Sequence, residues 1–175
     1  EALQRSEHRI RGMADSVPGV ICQSVAVSGG GHIFHFVSER AEEILGISSS
    51  TDGFFQRFTE RIPPGKREEF IDSVNRSVSS GRAWEHTIPF LRPDGQRIWL
   101  KGMSIPAESE GERVFNSVFI DITELIETDE ALRKERDYSA SIIRGTPAIV
   151  CGISPEGITN FINPACEKVT GYGSS

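Results

Sequence analysis

The sequence predicts an α+β fold, with strands and helices segregated along the chain. Three observations carry that prediction. Two short apolar runs flank a Gly-rich turn near the start, three more strand-like runs follow later, and only helical patterns separate the two groups. Pro93-Asp94-Gly95, between two of the later runs, is a hairpin turn sequence. The chain also repeats itself. "FVSERAEEILGI" at residues 36–47 and "FINPACEKVTGY" at residues 161–172 share one plan: an aromatic, an aliphatic, a small polar residue, then a helical pattern closing on glycine. "VPGVICQ" at 17–23 matches "TPAIVCG" at 146–152, and the difference in spacing falls in a turn, "VSGGGHI" against "SPEGI". The offset of about 125 residues is domain-sized, which predicts one complete domain followed by the start of a second.

Each element follows from local pattern. Leu3, Ser6, Ile10, Met13 and Val17 step by three and four, an amphipathic stripe that predicts a helix over 1–17, ended by Pro18-Gly19. "VICQSVAV" and "HIFHFVS", around "SGGG", form a predicted hairpin. Ser38 is placed to cap the short helix "ERAEEILG", which Gly46 ends. "ISSSTDGFFQRFTERI" is Ser-rich and then aromatic, and predicts a loop with short helical turns. After Pro63-Pro64, "GKREEFIDSVNRSVSSG" sets Phe70, Ile71, Val74 and Val78 on one face of a longer helix stopped by Gly81. "AWEHTIPFLR", "QRIWLKGMSIP" and "RVFNSVFIDI" are the three later strands. "TELIETDEALRKERDYSASIIRG" then predicts a helix ended by Gly145, with a heptad stripe of Ile122, Leu125, Asp129, Leu132, Arg136, Ser139 and Ile143. Its polar interruptions suit either a solvated spacer or a weak parallel coiled coil. Asp121 with Glu124 fits a capping box and Thr123 is the rival cap; both couple the last strand to the helix.

Bulk properties exclude several functions. The net charge of −6 comes without a basic stripe to neutralise phosphates, which argues against a nucleic-acid partner. No apolar run approaches the roughly 20 residues of a membrane span, so no membrane contact by this segment is expected. Cys22, Cys151 and Cys166 lack metal-ligand spacing. Cys22 and Cys151 occupy matching repeat positions within apolar runs, which predicts buried reduced thiols and a cytoplasmic setting. His32 and His35 look like a ligand pair, but an odd separation on a strand sends them to opposite faces. The glycines at 29–31 lack the Lys-Ser/Thr and the following helix of a phosphate loop. Glu42-Glu43 and Glu68-Glu69 diverge as solvated faces. With no converging nucleophile, acid–base pair or metal set, no catalytic or metal-binding residue is predicted and the chain is not expected to be an enzyme by itself.

The order helix, two strands, short helices, longer helix, three strands, linker helix resembles the PAS fold. "FVSERAEEILGI", the "LRPDGQRIWL" hairpin and "FIDITEL", which looks like the Asp-x-Thr motif ending many PAS domains, carry the resemblance. It extends over about residues 14–123 and restarts at Thr146. It implies a five-stranded antiparallel sheet with helices on one side, flanked by N-terminal and C-terminal linker helices. The expected domains are an N-terminal amphipathic helix at 1–17, a PAS domain at 18–123, a linker helix at 124–145 and the truncated start of a second PAS domain at 146–175. The chain is thus expected to be cut from a tandem array.

PAS domains bind a cofactor or small ligand between sheet and helices, or pair with one another. Light-sensing members carry a reactive cysteine in an Asn-Cys-Arg-Phe motif after the first short helix. The corresponding "ISSSTDGFFQRF" has none, so flavin–thiol photochemistry is not expected. Haem-binding members commonly supply an axial histidine from the longer helix, and residues 65–81 contain none, so haem is not expected either. The cofactor stays unassigned. Strand alternation and the resemblance together turn His86, Ile88 and Phe90, then Leu100, Gly102 and Ser104, then Phe115, Ser117 and Phe119 toward the helices. Phe90, Leu100 and Phe119 match positions where flavin-binding relatives offer amides, which removes hydrogen bonds from a flavin edge. A core filled by side chains is one reading. The other is a pocket for a small apolar ligand, with Gly102, Ser104 and Ser117 leaving room inside walls of Phe90, Leu100, Phe115 and Phe119.

The opposite parity gives Leu91, Trp99, Met103, Val118 and Ile120, too apolar for a solvated sheet face. This face is expected to be covered by the N-terminal helix or by a homodimer partner. By resemblance, the chain is a sensory and dimerisation module of a sensor histidine kinase. Asp121 and Thr123 link signal to helix, and the output domain lies downstream in the same chain. A diguanylate cyclase, or a purely structural spacer without ligand, are the alternatives.

Overall fold

The computed structural model describes residues 12, 17–27, 31–109 and 111–171. The predicted N-terminal helix lies outside the described residues except for Gly12 and Val17. The chain divides into two compact units, Glu1–Glu124 and Leu125–Ser175.

In the first unit, β1 (Val20–Val27) and β2 (Gly31–Val37) form the first hairpin. Helices α1 (Arg40–Ile44), α2 (Phe54–Glu60) and α3 (Pro64–Ser80) follow, then β3 (Trp84–Leu91), β4 (Arg97–Ser109) and β5 (Glu112–Asp121). The strands build one five-stranded sheet in the order β2-β1-β5-β4-β3, with every pairing antiparallel. The first and last strands are therefore neighbours in the middle of the sheet. Pro89 lies in the edge strand β3, where a missing backbone donor costs least. Gly81 ends α3 in the left-handed region at φ 64°, a conformation that favours glycine. α2 is a seven-residue helix at the aromatic end of the stretch read as loop and short turns.

The helices cover one face of the sheet. Val20, Leu45, Phe54, Phe58, Ile62, Phe70, Ile88, Phe90, Ile98 and Leu100 are buried between the two layers. Ser38 departs from its expected role. No side chain caps α1; instead the Ser38 hydroxyl accepts from the Ile21 N–H at 3.0 Å, and the Ser38 N–H donates to the Ile21 carbonyl at 2.8 Å. Buried beside β1, the hydroxyl satisfies a strand donor and not a helix end.

Helix α4 (Thr123–Gly145) starts at the end of the first unit and continues into the second, and it has no buried residue. Its stripe positions Leu125 and Leu132 are 67% and 55% exposed. In the second unit, β6 (Cys151–Ile153) and β7 (Thr159–Ile162) form a two-stranded antiparallel sheet, followed by α5 (Ala165–Thr170). The repeat seen in sequence recurs in geometry. The first hairpin shifts register between Gln23 and Ser24, and the second between the matching Gly152 and Ile153. Gly46 and Gly171 both follow their short helices at positive φ, 69° and 75°. Asn163, which matches Ser38, repeats the reciprocal pairing: its Oδ1 accepts from the Val150 N–H and its own N–H donates to the Val150 carbonyl, both at 2.9 Å.

Cys151 corrects an expectation. It is exposed, whereas its counterpart Cys22 is buried. Cys22 lies on a strand flanked by β2 and β5 and covered by helices, but β6 has only β7 beside it.

Candidate functional site

A chamber lies between the inner sheet face and the helices. Its floor follows from strand register. Cys22 pairs with Ser117, and Ser117 with Ser104, so small polar residues of β1, β5 and β4 stand in one row across the sheet. Phe115 and Phe119 flank Ser117 on the same side, and Ser24, His32 and Phe34 extend the floor over β1 and β2. The roof is helical: Phe54, Phe55 and Phe58 from α2, then Phe70, Val74, Ser77 and Val78 from α3. Trp84 of β3 closes one end. The chamber's volume is about 50 Å³, several times the roughly 10–15 Å³ a cavity needs to admit one water and about a third of the roughly 150 Å³ that admits benzene. Carbon lines almost all of it.

The polar groups of the wall mostly satisfy one another. Ser117 Oγ donates to Ser104 Oγ at 2.8 Å. Cys22 hydrogen-bonds to Ser117, but burial dominates and pushes its thiol up to about 12, so it is protonated near pH 7 and no nucleophile. Trp84 Nε1 donates to Ser73 Oγ at 3.0 Å, and Ser77 Oγ donates to the Arg82 carbonyl at 2.7 Å. Ser24 Oγ pairs with His32 Nδ1 at 3.0 Å. Burial lowers the His32 pKa below its ordinary value, which keeps the ring neutral near pH 7. His35 is exposed, so the two histidines do not converge. Among the described residues, no group of three His, Cys, Asp or Glu could hold a metal ion.

Of the residues expected to form a pocket, Ser104, Phe115, Ser117 and Phe119 line the chamber, while Phe90 and Leu100 do not. Both are fully buried in the core; the Phe90 ring lies 5.1 Å from that of Phe58, tilted against it by 43°. Gly102 opens no room. A Cβ there would stand 2.7 Å from two ring carbons of Trp84 and 2.9 Å from Phe119 Cε1, so the indole already fills the space. Gly102→Ala is accordingly expected to cost about 1–3 kcal/mol of stability, read as a lower denaturant midpoint. An unchanged midpoint would mean that Trp84 does not press on this backbone. Sequence reasoning missed Trp84, although it shares the parity of His86 and Ile88. It also missed His32, Phe34 and the α2 aromatics, for which the only signal was Phe spacing in a stretch read as mostly loop.

Trp99, Met103, Val118 and Ile120 point to the other face, where each is partly buried, and none lines the chamber. Leu91 and Ile105 are exposed, at 44% and 65%. At the end of β5 the sheet is tied to α4. Asp121 Oδ1 accepts from the Thr123 N–H at 2.9 Å and from the Thr123 hydroxyl at 2.5 Å. The same hydroxyl oxygen accepts from the Trp99 N–H at 2.8 Å, and the Ile122 N–H donates to the Trp99 carbonyl at 2.8 Å. Asp121 thus acts on Thr123, and Thr123 on β4, in place of a capping box with Glu124.

A helix-covered five-stranded sheet in this order agrees with the family comparison: residues 34–120 match the family model of the PAS fold. The chain contains a PAS domain. The sensor protein FixL of Bradyrhizobium diazoefficiens is 23% identical over 137 residues, which cover 77% of this chain and 27% of FixL. Among solved structures, an RNA-binding light-oxygen-voltage receptor matches with a TM-score of 0.57 at 15% identity, covering 77% of this chain and 38% of the receptor. A sensory box histidine kinase/response regulator from Burkholderia thailandensis E264 matches with a TM-score of 0.54 at 15% identity, covering 76% and 98%. These likenesses show the fold. The chain spans about a quarter of FixL and well under half of the receptor. No helix among the described residues is long and apolar enough to cross a membrane. The PAS chamber here does not fit a reactive flavin–thiol pair: residues 47–58 hold no cysteine and the wall's only thiol, Cys22, is protonated. Nor does its volume approach that of a porphyrin or an isoalloxazine.

Proposed function

We propose that residues 18–123 sense a small apolar ligand and dimerise within a cytoplasmic sensor protein of histidine-kinase type, passing the state of the chamber to α4. On this reading 1–17 is an amphipathic helix, 124–145 a linker and 146–175 the start of a second PAS domain. The observation that carries it is the bonding of Trp99, Asp121 and Thr123. Ser104 in the chamber wall and Trp99 at the root of α4 lie on one strand, so a displacement of β4 by an occupant reaches the first turn of the helix directly. The likeness to FixL supports a sensor kinase as the whole protein. The apolar outer face of Trp99, Met103, Val118 and Ile120 supports dimerisation.

Thr123→Val removes both hydroxyl bonds while keeping the shape. Amide exchange in residues 124–132 is expected to quicken roughly fivefold, the equivalent of about one net hydrogen bond, with the sheet unaffected. Unchanged exchange would sink the transmission reading. Native mass spectrometry of gently purified protein tests sensing itself: a released small molecule supports it. A chamber that is always empty supports a purely structural spacer, the reading favoured by the chamber's small volume. ATP-dependent self-phosphorylation by residues 1–175 would contradict the assignment of catalysis to another part of the protein.

A further inference from the structure

Resting on the reading of the chamber as a ligand site, we propose that its occupant is an uncharged apolar molecule of about two or three non-hydrogen atoms, the size of ethane or propane and not of a ring. Size sets the first limit. About 50 Å³ is a third of the roughly 150 Å³ that takes a benzene ring, which in proportion leaves room for about two carbon atoms. The walls give little more. The space over Gly102 is already taken, with Trp84 ring carbons 2.7 Å and Phe119 Cε1 2.9 Å from where a Cβ would stand. Phe58, 4.8 Å from Phe119 and 5.8 Å from Phe70, locks roof to floor, and a close-packed wall of this kind does not widen to admit a ring. Phe34 and Phe55 are only partly buried, and their rotation is the way in for something small.

Polarity sets the second limit. The volume would also hold a few waters, but each buried water needs about two to four polar partners. Carbon lines almost all of the wall, and its polar groups are engaged: Ser104, Ser117 and Cys22 bond to one another, Ser77 to the Arg82 carbonyl, and Ser24 to His32 Nδ1. Among the described residues, no Lys, Arg, Asp or Glu lines the chamber. A charged or strongly hydrogen-bonding ligand would give up its water contacts there without replacement. An apolar one gives up nothing of the kind, and the aromatic rings and the Cys22 sulfur meet it with polarisable surface. Apolar cavities stay dry and take up apolar probes.

An occupant this small is lost during purification, so it is sought by titration. Ethane under pressure, methanol and benzene are added separately to residues 1–175, and methyl resonances report the place: Val74 and Val78 in the chamber wall, Met103 and Val118 on the outer face. Ethane should shift Val74 and Val78 saturably and leave Met103 and Val118 unmoved. Methanol, matched to ethane in heavy atoms, should bind roughly tenfold more weakly, the worth of a hydrogen bond to water lost without replacement. Benzene should leave Val74 and Val78 unmoved. Val74→Leu, which adds a methylene to the roof, should weaken ethane binding severalfold; the comparison of probes in the unmodified chain stands even where this variant fails to fold. Methanol binding as tightly as ethane, benzene shifting Val74 and Val78, or Val74→Leu binding ethane undiminished would overturn the proposed ligand class and leave the chamber a ligand site. No shift of Val74 and Val78 by any of the three would overturn both.

Discussion

Phe58→Ala is expected to lower the stability of the first unit by about 3–5 kcal/mol, the range for deleting a buried aromatic ring. Phe58 is 3% exposed and sits where the layers meet. Its ring lies 4.8 Å from Phe119, 5.1 Å from Phe90, 5.8 Å from Phe70 and 6.2 Å from Phe54. One side chain of α2 therefore joins two strands, a second helix and its own helix. Its neighbours are large and fixed from several directions, so they cannot collapse into the vacated space, which places the cost toward the top of the range. For a domain of this size the melting temperature should fall by about 12 °C or more. Phe58→Leu, which keeps most of the volume, should cost about 1–2 kcal/mol. Equal effects of the two substitutions on the urea midpoint would show that no void is created and that the ring is not central.

Asn163→Ala should have the second large effect, confined to the other unit. Asn163 is 1% exposed. Its amide nitrogen donates to the Ile143 carbonyl at 2.9 Å and the Ala148 carbonyl at 3.0 Å, with Thr146 at 3.4 Å, while Oδ1 accepts from Val150. The side chain thus holds the end of α4, the following segment and the start of the hairpin together. Truncation leaves the Val150 N–H and the three carbonyls of Ile143, Thr146 and Ala148 without that partner, at about 1–3 kcal/mol for each group kept from water. A two-stranded sheet has little stability to lose, and its apolar residues Ile153, Ile158 and Phe161 are exposed. Amide-exchange protection at Cys151–Ile153 should therefore disappear in Asn163→Ala, with the sheet of the first unit unchanged. Retained protection would mean that the hairpin holds itself.

The parts of this fold legible in sequence are those set by local geometry. Side chains alternate along a strand whatever covers it, so once the PAS resemblance fixed which parity faces the helices, the inward set on β3, β4 and β5 followed from period two. The glycines ending α1 and α3 and the Pro93-Asp94-Gly95 turn were legible for the same reason. Which inward residue meets empty space depends on how a helix crosses the sheet, and no local rule supplies that. Gly102 suggests space when read alone, but Trp84, across from Ser104 on the neighbouring strand, takes it. Ser38 sits where a helix cap belongs, yet the return of the chain beside β1 presents the Ile21 amide first. Cys151 matches Cys22 in sequence and differs in burial because burial belongs to the neighbours, not to the repeat.

The 23-residue α4 is about 35 Å long at 1.5 Å per residue. It is fastened at its first turn through Thr123, none of its own residues is buried, and Asn163 bonds it near its far end at the Ile143 carbonyl. A tilt of about 5° at the pivot sweeps the far end through about 3 Å, whereas the same rotation displaces atoms one turn from Thr123 by roughly 0.5 Å. The geometric gain between root and tip is therefore about six- or sevenfold. On the proposed transmission through Thr123, a small tilt at the root of α4 would therefore be enlarged several-fold along the helix itself.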